Sequence, residues 1–322
     1  MRTDGVGIVA SMDAHPGTSS LWPHRIAVIL AGATFPLLFI GGLVTGKGVG
    51  LAVPDWPTTF GYNMFLYPWS KMVGGIFYEH SHRLVASFVG LLTIALALTF
   101  WLREQRDWLR WLGLTALALV VVQGVLGGLR VVLLEQALAV VHAATAQMFF
   151  ALTICLVIFT SSDWQRTPIP TISDGGRLRR LCAVTTVLIY LQIVFGAVLR
   201  HTGERLDAHF VFAALVALHV MLVVIRVRRH HAHFAPLNRL SLFLFLLLVA
   251  QLALGGAAYI AKFTALWSLS FNAIVVLTTT HLAVGALMLA VSVVLMLRSH
   301  RLSARLLDDG SRREVMAEQL PV

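Results

Sequence analysis

Long apolar stretches, separated by short polar tracts, recur along the whole chain. There are eight of them, each close to the roughly 20 residues that an α-helix needs to cross a bilayer core about 30 Å thick. They occupy residues 26–45, 78–102, 111–129, 137–160, 181–199, 208–226, 240–260 and 273–297. The pattern therefore predicts an all-α polytopic membrane protein with eight transmembrane helices, numbered here as spans 1 to 8.

Composition excludes the other broad classes of protein. Of the 322 residues, 58% are hydrophobic and only 12% are charged, whereas globular domains carry about 25% charged residues. So few charges cannot cover a water-soluble surface of this size. The longest loop, residues 46–77, contains Pro54, Trp56, Pro57 and Gly61, which predict an ordered aromatic loop at the membrane surface.

The positions of the basic residues are more informative than the formal net charge of +10. They form short tracts between spans without interleaved aromatic residues, so we predict no binding to nucleic acid. Of the 25 Lys and Arg residues, 18 fall on the side that holds both termini and 7 on the other. The positive-inside rule then makes both termini cytoplasmic. Because residues 1–25 lack the apolar core of a signal peptide, a bacterial plasma membrane is the simplest location.

A short repeated motif divides the chain into two halves. Residues 123–128 read Gln-Gly-Val-Leu-Gly-Gly, residues 251–256 read Gln-Leu-Ala-Leu-Gly-Gly, and residues 192–197 are a looser match. Small residues usually allow helices to pack closely, a role that we favour over cofactor binding. The repetition predicts two pseudo-repeated four-helix bundles. The resulting segments are 1–25 (amino-terminal segment), 26–160 (first half), 161–180 (cytoplasmic linker), 181–297 (second half) and 298–322 (cytoplasmic tail).

Each even-numbered span carries one histidine toward the end where it begins, on the outer side. The four residues are His82, His142, His209 and His281. A lone intramembrane histidine is often a hydrogen-bonded packing residue, and this alternative stays open for each of them. Two imidazoles that face each other across a four-helix bundle also supply both axial ligands of a haem iron. The pattern therefore predicts one haem site in each half, and fits zinc or copper less well because their sites usually have more protein ligands.

The remaining histidines are expected to have other roles. His219 lies about 280° around its helix from His209, and we expect it to bond a neighbouring helix. The role of His80, about 200° from His82, stays open, whereas His201 is expected in an outer loop at a site entrance. Three more are expected to be solvated in an arginine-rich loop: His230, His231 and His233.

An acidic residue distinguishes the first half from the second. Glu79 and His82 are spaced i, i+3, so the carboxylate lies one turn from the imidazole on nearly the same face. A carboxylate near hydrocarbon indicates a function, such as proton transfer or substrate-radical chemistry. The competing explanation is an i, i+4 ion pair with Arg83 at the membrane surface. In the second half, Asp207 lies about 200° from His209 and does not repeat the arrangement.

Three arginines near the outer ends of the spans are candidates for binding haem propionates: Arg83, Arg130 and Arg200. A guanidinium group matches the geometry of a carboxylate. Contact with lipid headgroups explains each arginine equally well, and the sequence leaves this choice open.

Several motifs together resemble those of the haem A synthase family. They are residues 41–46 (Gly-Gly-Leu-Val-Thr-Gly), 50–57 (Gly-Leu-Ala-Val-Pro-Asp-Trp-Pro), 79–83 (Glu-His-Ser-His-Arg) and 123–128, followed by His142, His209 and His281. The resemblance covers about residues 26–297. Many members carry a cysteine pair in the outer loop, where this chain reads Leu51-Ala52-Val53. A mechanism that uses those thiols is therefore absent or replaced.

The resemblance implies oxidation of the C8 methyl group of haem O to a formyl group, which gives the haem A of terminal oxidases. It implies that His82 and His142 face the substrate haem, with Glu79 as the essential acid. It also implies that His209 and His281 ligate a permanent haem b that relays electrons. The expected partners are the substrate haem O, a haem O synthase, terminal oxidase assembly factors, an unidentified electron donor and the lipid bilayer.

The main alternative is a quinone-linked di-haem b cytochrome that transfers electrons and modifies no haem. Such a protein needs the four histidines, and Glu79 would then be incidental. Detection of a formyl haem distinguishes the two functions. The small-residue helix faces serve packing within or between chains, so they leave the oligomeric state open.

Overall fold

The computed structural model describes the main chain of residues 21–165 and 175–318 and the side chains of residues 21–165 and 176–302. Its eight long helices are α1 (Trp22–Gly46), α2 (Gly74–Arg103), α3 (Asp107–Leu133), α4 (Gln136–Thr160), α5 (Gly175–Thr202), α6 (Leu206–His230), α7 (Ala235–Phe263) and α8 (Phe271–Glu318). The described ranges contain no β-strand. All eight helices are long and apolar enough to cross a membrane, which confirms the predicted fold class. Residues 1–20, 166–174 and 319–322 of the predicted terminal and linker segments lie outside the described ranges.

The helices extend beyond the apolar stretches that predict them. α1 begins at Trp22, and α8 continues to Glu318, past the predicted end at residue 297. An apolar pattern marks only the part of a helix that lies in hydrocarbon, whereas helical hydrogen bonding continues into polar flanks. α3 ends where Leu134 adopts a left-handed conformation and its N–H donates to the carbonyl of Arg130.

Each half of the molecule is a closed ring of four helices. In the first ring α1 packs on α2, α2 on α3, α3 on α4 and α4 on α1, and α5 to α8 follow the same order in the second. The rings meet where α1 and α4 contact α8 and where α4 contacts α5. Because α8 packs against helices of both rings, it is the most buried of the eight.

Buried apolar side chains fill both rings toward one end of the bundle. In the first ring they include Leu30, Phe100, Leu109 and Leu156. In the second ring they include Leu178, Val223, Leu244 and Leu295. We call this end, where α1 begins, the terminal end, and the opposite end the site end. Close packing of these side chains holds the helices together, since lipid is as apolar as they are.

Candidate functional site

The four predicted histidines lie at the site end, where α2, α4, α6 and α8 begin. His209 and His281 face each other edge to face, with ring centroids 6.4 Å apart and an interplanar angle of 71°. His82 and His142 are close enough to interact electrostatically. The fold therefore brings the imidazoles together as two pairs, one in each ring.

Each of these imidazoles packs against a glycine of the preceding helix. A Cβ atom built on the glycine would lie tighter against the imidazole Cε1 atom than most real Cβ contacts allow. The pairs and distances are Gly41–His82 (3.1 Å), Gly127–His142 (3.3 Å), Gly196–His209 (3.2 Å) and Gly255–His281 (3.0 Å). For Gly127, Gly196 and Gly255 the predicted packing role is thus packing against histidine, and a larger side chain would displace the ring.

A glutamine one turn before the glycine accompanies three of the four pairs. The main chains of Gln123, Gln192 and Gln251 interact with the imidazoles of His142, His209 and His281, respectively. The side-chain amides of Gln192 and Gln251 also lie 3.3 and 3.5 Å from the Nε2 atoms of their imidazoles. The residue four positions before Gly41 is Leu37, so His82 lacks this glutamine. The repeated Gln-x-x-x-Gly motif therefore marks where a histidine docks, a role that the sequence alone did not reveal.

The Nδ1 atoms of all four imidazoles are buried and form no hydrogen bond within the described residues. Most buried polar atoms in proteins have a hydrogen-bond partner. Hydrogen-bonded packing therefore accounts for the Nε2 atoms of His209 and His281 but not for the four Nδ1 atoms. Within the same residues, no group of three or more His, Cys, Asp or Glu side chains could hold a metal ion. Two imidazoles on facing helices are a donor set that a haem iron accepts.

Glu79 is buried in α2 beside the first pair, with 3% of its surface exposed. Its Oε1 atom accepts a hydrogen bond from Arg83 at 2.8 Å, and its Oε2 atom accepts one from the N–H of Val53 at 2.9 Å. The ion pair with Arg83 is therefore present, but it is buried rather than open at the membrane surface. In the second ring, by contrast, the carboxylate of Asp207 is 78% exposed and lies 3.7 Å from Arg205.

Arg83 fastens the long loop between α1 and α2 to the site. Besides Glu79, its guanidinium group donates to the carbonyl groups of Val53, Asp55 and Thr58, at 3.0, 2.7 and 3.1 Å. A haem propionate would have to compete with these bonds for the same donors. Arg83 thus holds the predicted ordered loop through the loop's main-chain carbonyl groups. Every residue has such a carbonyl group, so the sequence does not reveal these bonds.

We expect Arg83→Met to destabilise the protein and release this loop. Glu79 would remain buried without its partner, which typically costs about 3–5 kcal/mol. Hydrogen exchange of residues 53–61 should accelerate, and the thermal unfolding midpoint should fall. As a control, Asp107→Asn breaks an ion pair whose carboxylate is 82% exposed, which should cost at most about 1 kcal/mol. Equal effects of the two substitutions would contradict the anchoring role.

Asp55 and His80 stabilise the same loop. The Asp55 carboxylate accepts hydrogen bonds from the hydroxyl group of Thr58 and the N–H of Gly61. Partial burial raises the pKa of Asp55, but hydrogen bonds to its charged form outweigh burial and hold that pKa below its usual value. His80 is buried and its Nδ1 atom lies 3.1 Å from the hydroxyl oxygen of Thr59, so it anchors the loop.

Two further arginines lie beside the histidine pairs. Arg130 of α3 interacts electrostatically with Glu79 and His142. Arg200 of α5 donates to carbonyl groups of α1 at 2.6 Å and of α8 at 3.3 Å, and it acts electrostatically on His281. Each ring thus has a half-buried guanidinium group near its imidazoles. Cations within membrane spans usually have an anionic partner or a functional role.

His201 lies in the last turn of α5 rather than in the outer loop predicted for it. The reason is that α5 continues to Thr202, beyond the predicted end at residue 199. There His201 is half-buried and interacts electrostatically with Arg130 and His142. A residue of the second ring therefore reaches the site of the first.

The structure bears on the expectations for two other histidines, and the one for His231 is wrong. The Nδ1 atom of His219 lies 2.9 Å from the carbonyl oxygen of Leu215 in its own helix, so His219 does not use that atom to bond a neighbouring helix. His231 is 1% exposed rather than solvated, because the turn between α6 and α7 packs it inside. His230 and His233 are exposed, as predicted.

Comparison with known proteins places the chain among proteins of related sequence. It matches the COX15-CtaA family, described as cytochrome oxidase assembly proteins, over residues 24–208. A protein of Shouchella clausii named heme A synthase is 30% identical over 187 residues, which cover 56% of this chain and 60% of the relative. The chain thus spans less than two thirds of that relative's length.

Two other relatives carry the same name and are covered more fully. The protein of Alkalihalophilus pseudofirmus is 27% identical over 258 residues, 71% of this chain and 84% of the relative. That of Halalkalibacterium halodurans is 25% identical over 252 residues, 68% of this chain and 80% of the relative. The family that the sequence motifs predict is confirmed by these matches, and the chain belongs to the COX15-CtaA family of cytochrome oxidase assembly proteins.

Proposed function

We propose that the chain is a haem A synthase, an oxidoreductase that converts the C8 methyl group of haem O to the formyl group of haem A. The first ring binds the substrate between His82 and His142, and the second ring binds a haem b between His209 and His281. The observation that carries the proposal is the contact between a glycine and a paired imidazole, which occurs at all four histidines in the two rings.

The residues present fit a haem in each ring. Paired imidazoles across a helix bundle suit both axial positions of a haem iron, and their buried Nδ1 atoms have no hydrogen-bond partner among the described residues. Arg130 and Arg200 provide one guanidinium group per ring for a propionate. When bound, haem iron supplies redox chemistry that side chains lack. The chain supplies the position, the orientation and the surrounding charges.

The buried acid of the first ring supports oxidation at that ring. Conversion of a methyl to a formyl group, with the new oxygen atom counted as water, releases protons and electrons in equal numbers. The electrons must pass to an oxidant, either dioxygen or an electron-acceptor protein. Glu79 lies one turn from His82 and takes up protons at its carboxylate, while Arg83 holds that carboxylate in place. The second ring, where Asp207 is exposed to solvent, relays the electrons.

The relatives and the helices support the cellular setting of this function. Three bacterial proteins that resemble the chain are each named heme A synthase. We place the chain in a bacterial plasma membrane with both termini cytoplasmic. It receives haem O from a haem O synthase, passes haem A to terminal oxidase assembly factors and exchanges electrons with a separate donor or acceptor protein.

Pigment analysis tests the proposal. The chain is expressed in cells that make haem O but no haem A, and non-covalent haem is extracted and analysed by mass and by its reduced pyridine spectrum. We expect a formyl haem that is absent from the same cells without the chain. A protein that binds haem b in both rings and yields no formyl haem would instead be the quinone-linked di-haem cytochrome.

A further inference from the structure

A second candidate binding site lies at the terminal end, where α5 begins beside the end of α6. The two helices flank an open-sided cavity of about 460 Å³. Four arginines line it, namely Arg177, Arg180, Arg226 and Arg229. The histidine pairs lie at the opposite end of the same helices, so this cavity belongs to neither ring's site.

The cavity lining changes from charged to apolar along the helices. The arginines occupy the first turns of α5 and the last turns of α6, which meet at the terminal end. Farther into the membrane-spanning part the walls are mostly apolar: Leu181 and Val184 of α5, and Leu222 and Ile225 of α6. Two histidines of α6 also line the cavity, His219 at its deep end and His230 at its rim. A basic rim above an apolar wall matches a phospholipid, whose headgroup is charged and whose acyl chains are apolar.

The charges at the start of α5 are unusual for a helix. The amino terminus of a helix carries partial positive charge, so cations there are electrostatically unfavourable and anions are favoured. Arg177 and Arg180 nevertheless lie in the first turns of α5. No acidic side chain of the described residues lines the cavity. Several guanidinium groups close together form a setting that suits a phosphate group.

We propose that this cavity binds the phosphate headgroup of an anionic phospholipid, with an acyl chain along the apolar wall. The general excess of arginine on this side explains orientation in the membrane, but it does not require four arginines around one cavity with a largely apolar wall. The bound lipid bridges the start of α5 and the end of α6.

The matched substitutions come from the same two helices. Arg180→Gln with Arg229→Gln removes two charges that line the cavity. Arg179→Gln with Arg228→Gln removes two charges at adjacent positions that do not line it. Both double variants therefore lower the net charge equally on the same membrane side. A third variant, Val184→Trp with Leu222→Trp, fills the apolar wall and leaves every charge in place.

The experiment is native mass spectrometry of the purified full-length chain with phosphatidylglycerol or phosphatidylcholine of identical acyl chains. We expect the chain to retain phosphatidylglycerol preferentially. Loss of the two lining arginines should weaken that binding by about tenfold or more, since each contributes roughly a fivefold factor of attraction near a membrane surface. The adjacent double variant should retain the lipid, and the tryptophan variant should lose it. A monodisperse chromatographic profile, measured for each variant, confirms that it is folded.

Three outcomes would overturn the proposal. Equal weakening by the two arginine double variants would show that diffuse surface charge, not the cavity, binds the lipid. Displacement of the lipid by millimolar inorganic phosphate, or stabilisation by phosphate alone, would make the cavity a site for a free anion. If the wild-type chain bound the two lipids equally, the cavity would not recognise an anionic headgroup. None of these measurements depends on haem binding or turnover.

Discussion

Replacing His209 with alanine is expected to abolish the haem b of the second ring while sparing the site of the first. His209 faces His281 directly, with the ring centroids 6.4 Å apart. No other histidine of α6 can replace it, because His219 lies on another face and uses its Nδ1 atom within its own helix. An iron that loses one of two axial ligands also loses its low-spin spectrum and much of its affinity. The purified variant should retain about half of the bound haem.

The control is His219→Ala, ten residues farther along the same helix. It removes an imidazole from α6 without touching the pair, so the haem b spectrum should remain. Gly196→Leu should resemble His209→Ala, because even a Cβ atom at this position would lie 3.2 Å from the imidazole. A full b-type spectrum in His209→Ala would show that the second ring does not bind haem through this residue.

The eight-helix fold is predictable from the sequence because the bilayer imposes it. A span must be apolar over its whole length and must satisfy its own main-chain hydrogen bonds, so each helix leaves a long apolar stretch in the sequence. The helix ends are not predictable in this way. α5 continues to Thr202 and carries His201 out of its predicted loop, because helical hydrogen bonds do not require apolar side chains.

The sequence predicts the four paired histidines, but it predicts the residues that contact them only in part. Position along a helix identifies His82 or His281 as facing one end of the bundle. It does not identify the atom that each ring contacts, because that depends on the register between two helices. Gly41 belongs to the same set as Gly255, although Leu37 replaces the glutamine that marks the other motifs. The bonds between Arg83 and loop carbonyl groups likewise involve main-chain atoms that every residue has.

The difference between the rings concerns acids rather than imidazoles. Both rings pair two histidines and place a glycine against each. The first adds a carboxylate whose side chain is 5% exposed, at Glu79, and the second has one that is 78% exposed, at Asp207. A buried carboxylate is retained at a cost in stability. Glu79 is therefore the residue at which a role in proton transfer is most informative to test.

Glu79→Gln is therefore expected to keep haem binding in both rings and to lose conversion of haem O by at least about a hundredfold, the usual contribution of a positioned acid or base. The amide has nearly the same shape, and its oxygen can still accept the hydrogen bond from Val53. Arg83 keeps its three loop carbonyl partners. The substitution thus removes the proton acceptor while leaving most of the anchor in place, and haem content and formyl haem yield are measured on the same preparation.

Asp207→Asn is the matched control, since it neutralises the corresponding acid at the start of α6. Because that carboxylate is exposed to solvent, turnover should remain at the wild-type level. If Glu79→Gln lost haem and turnover together, with the loop between α1 and α2 released, Glu79 would be a structural partner of Arg83. Full conversion of haem O by Glu79→Gln would show that Glu79 is not the proton acceptor of the first ring.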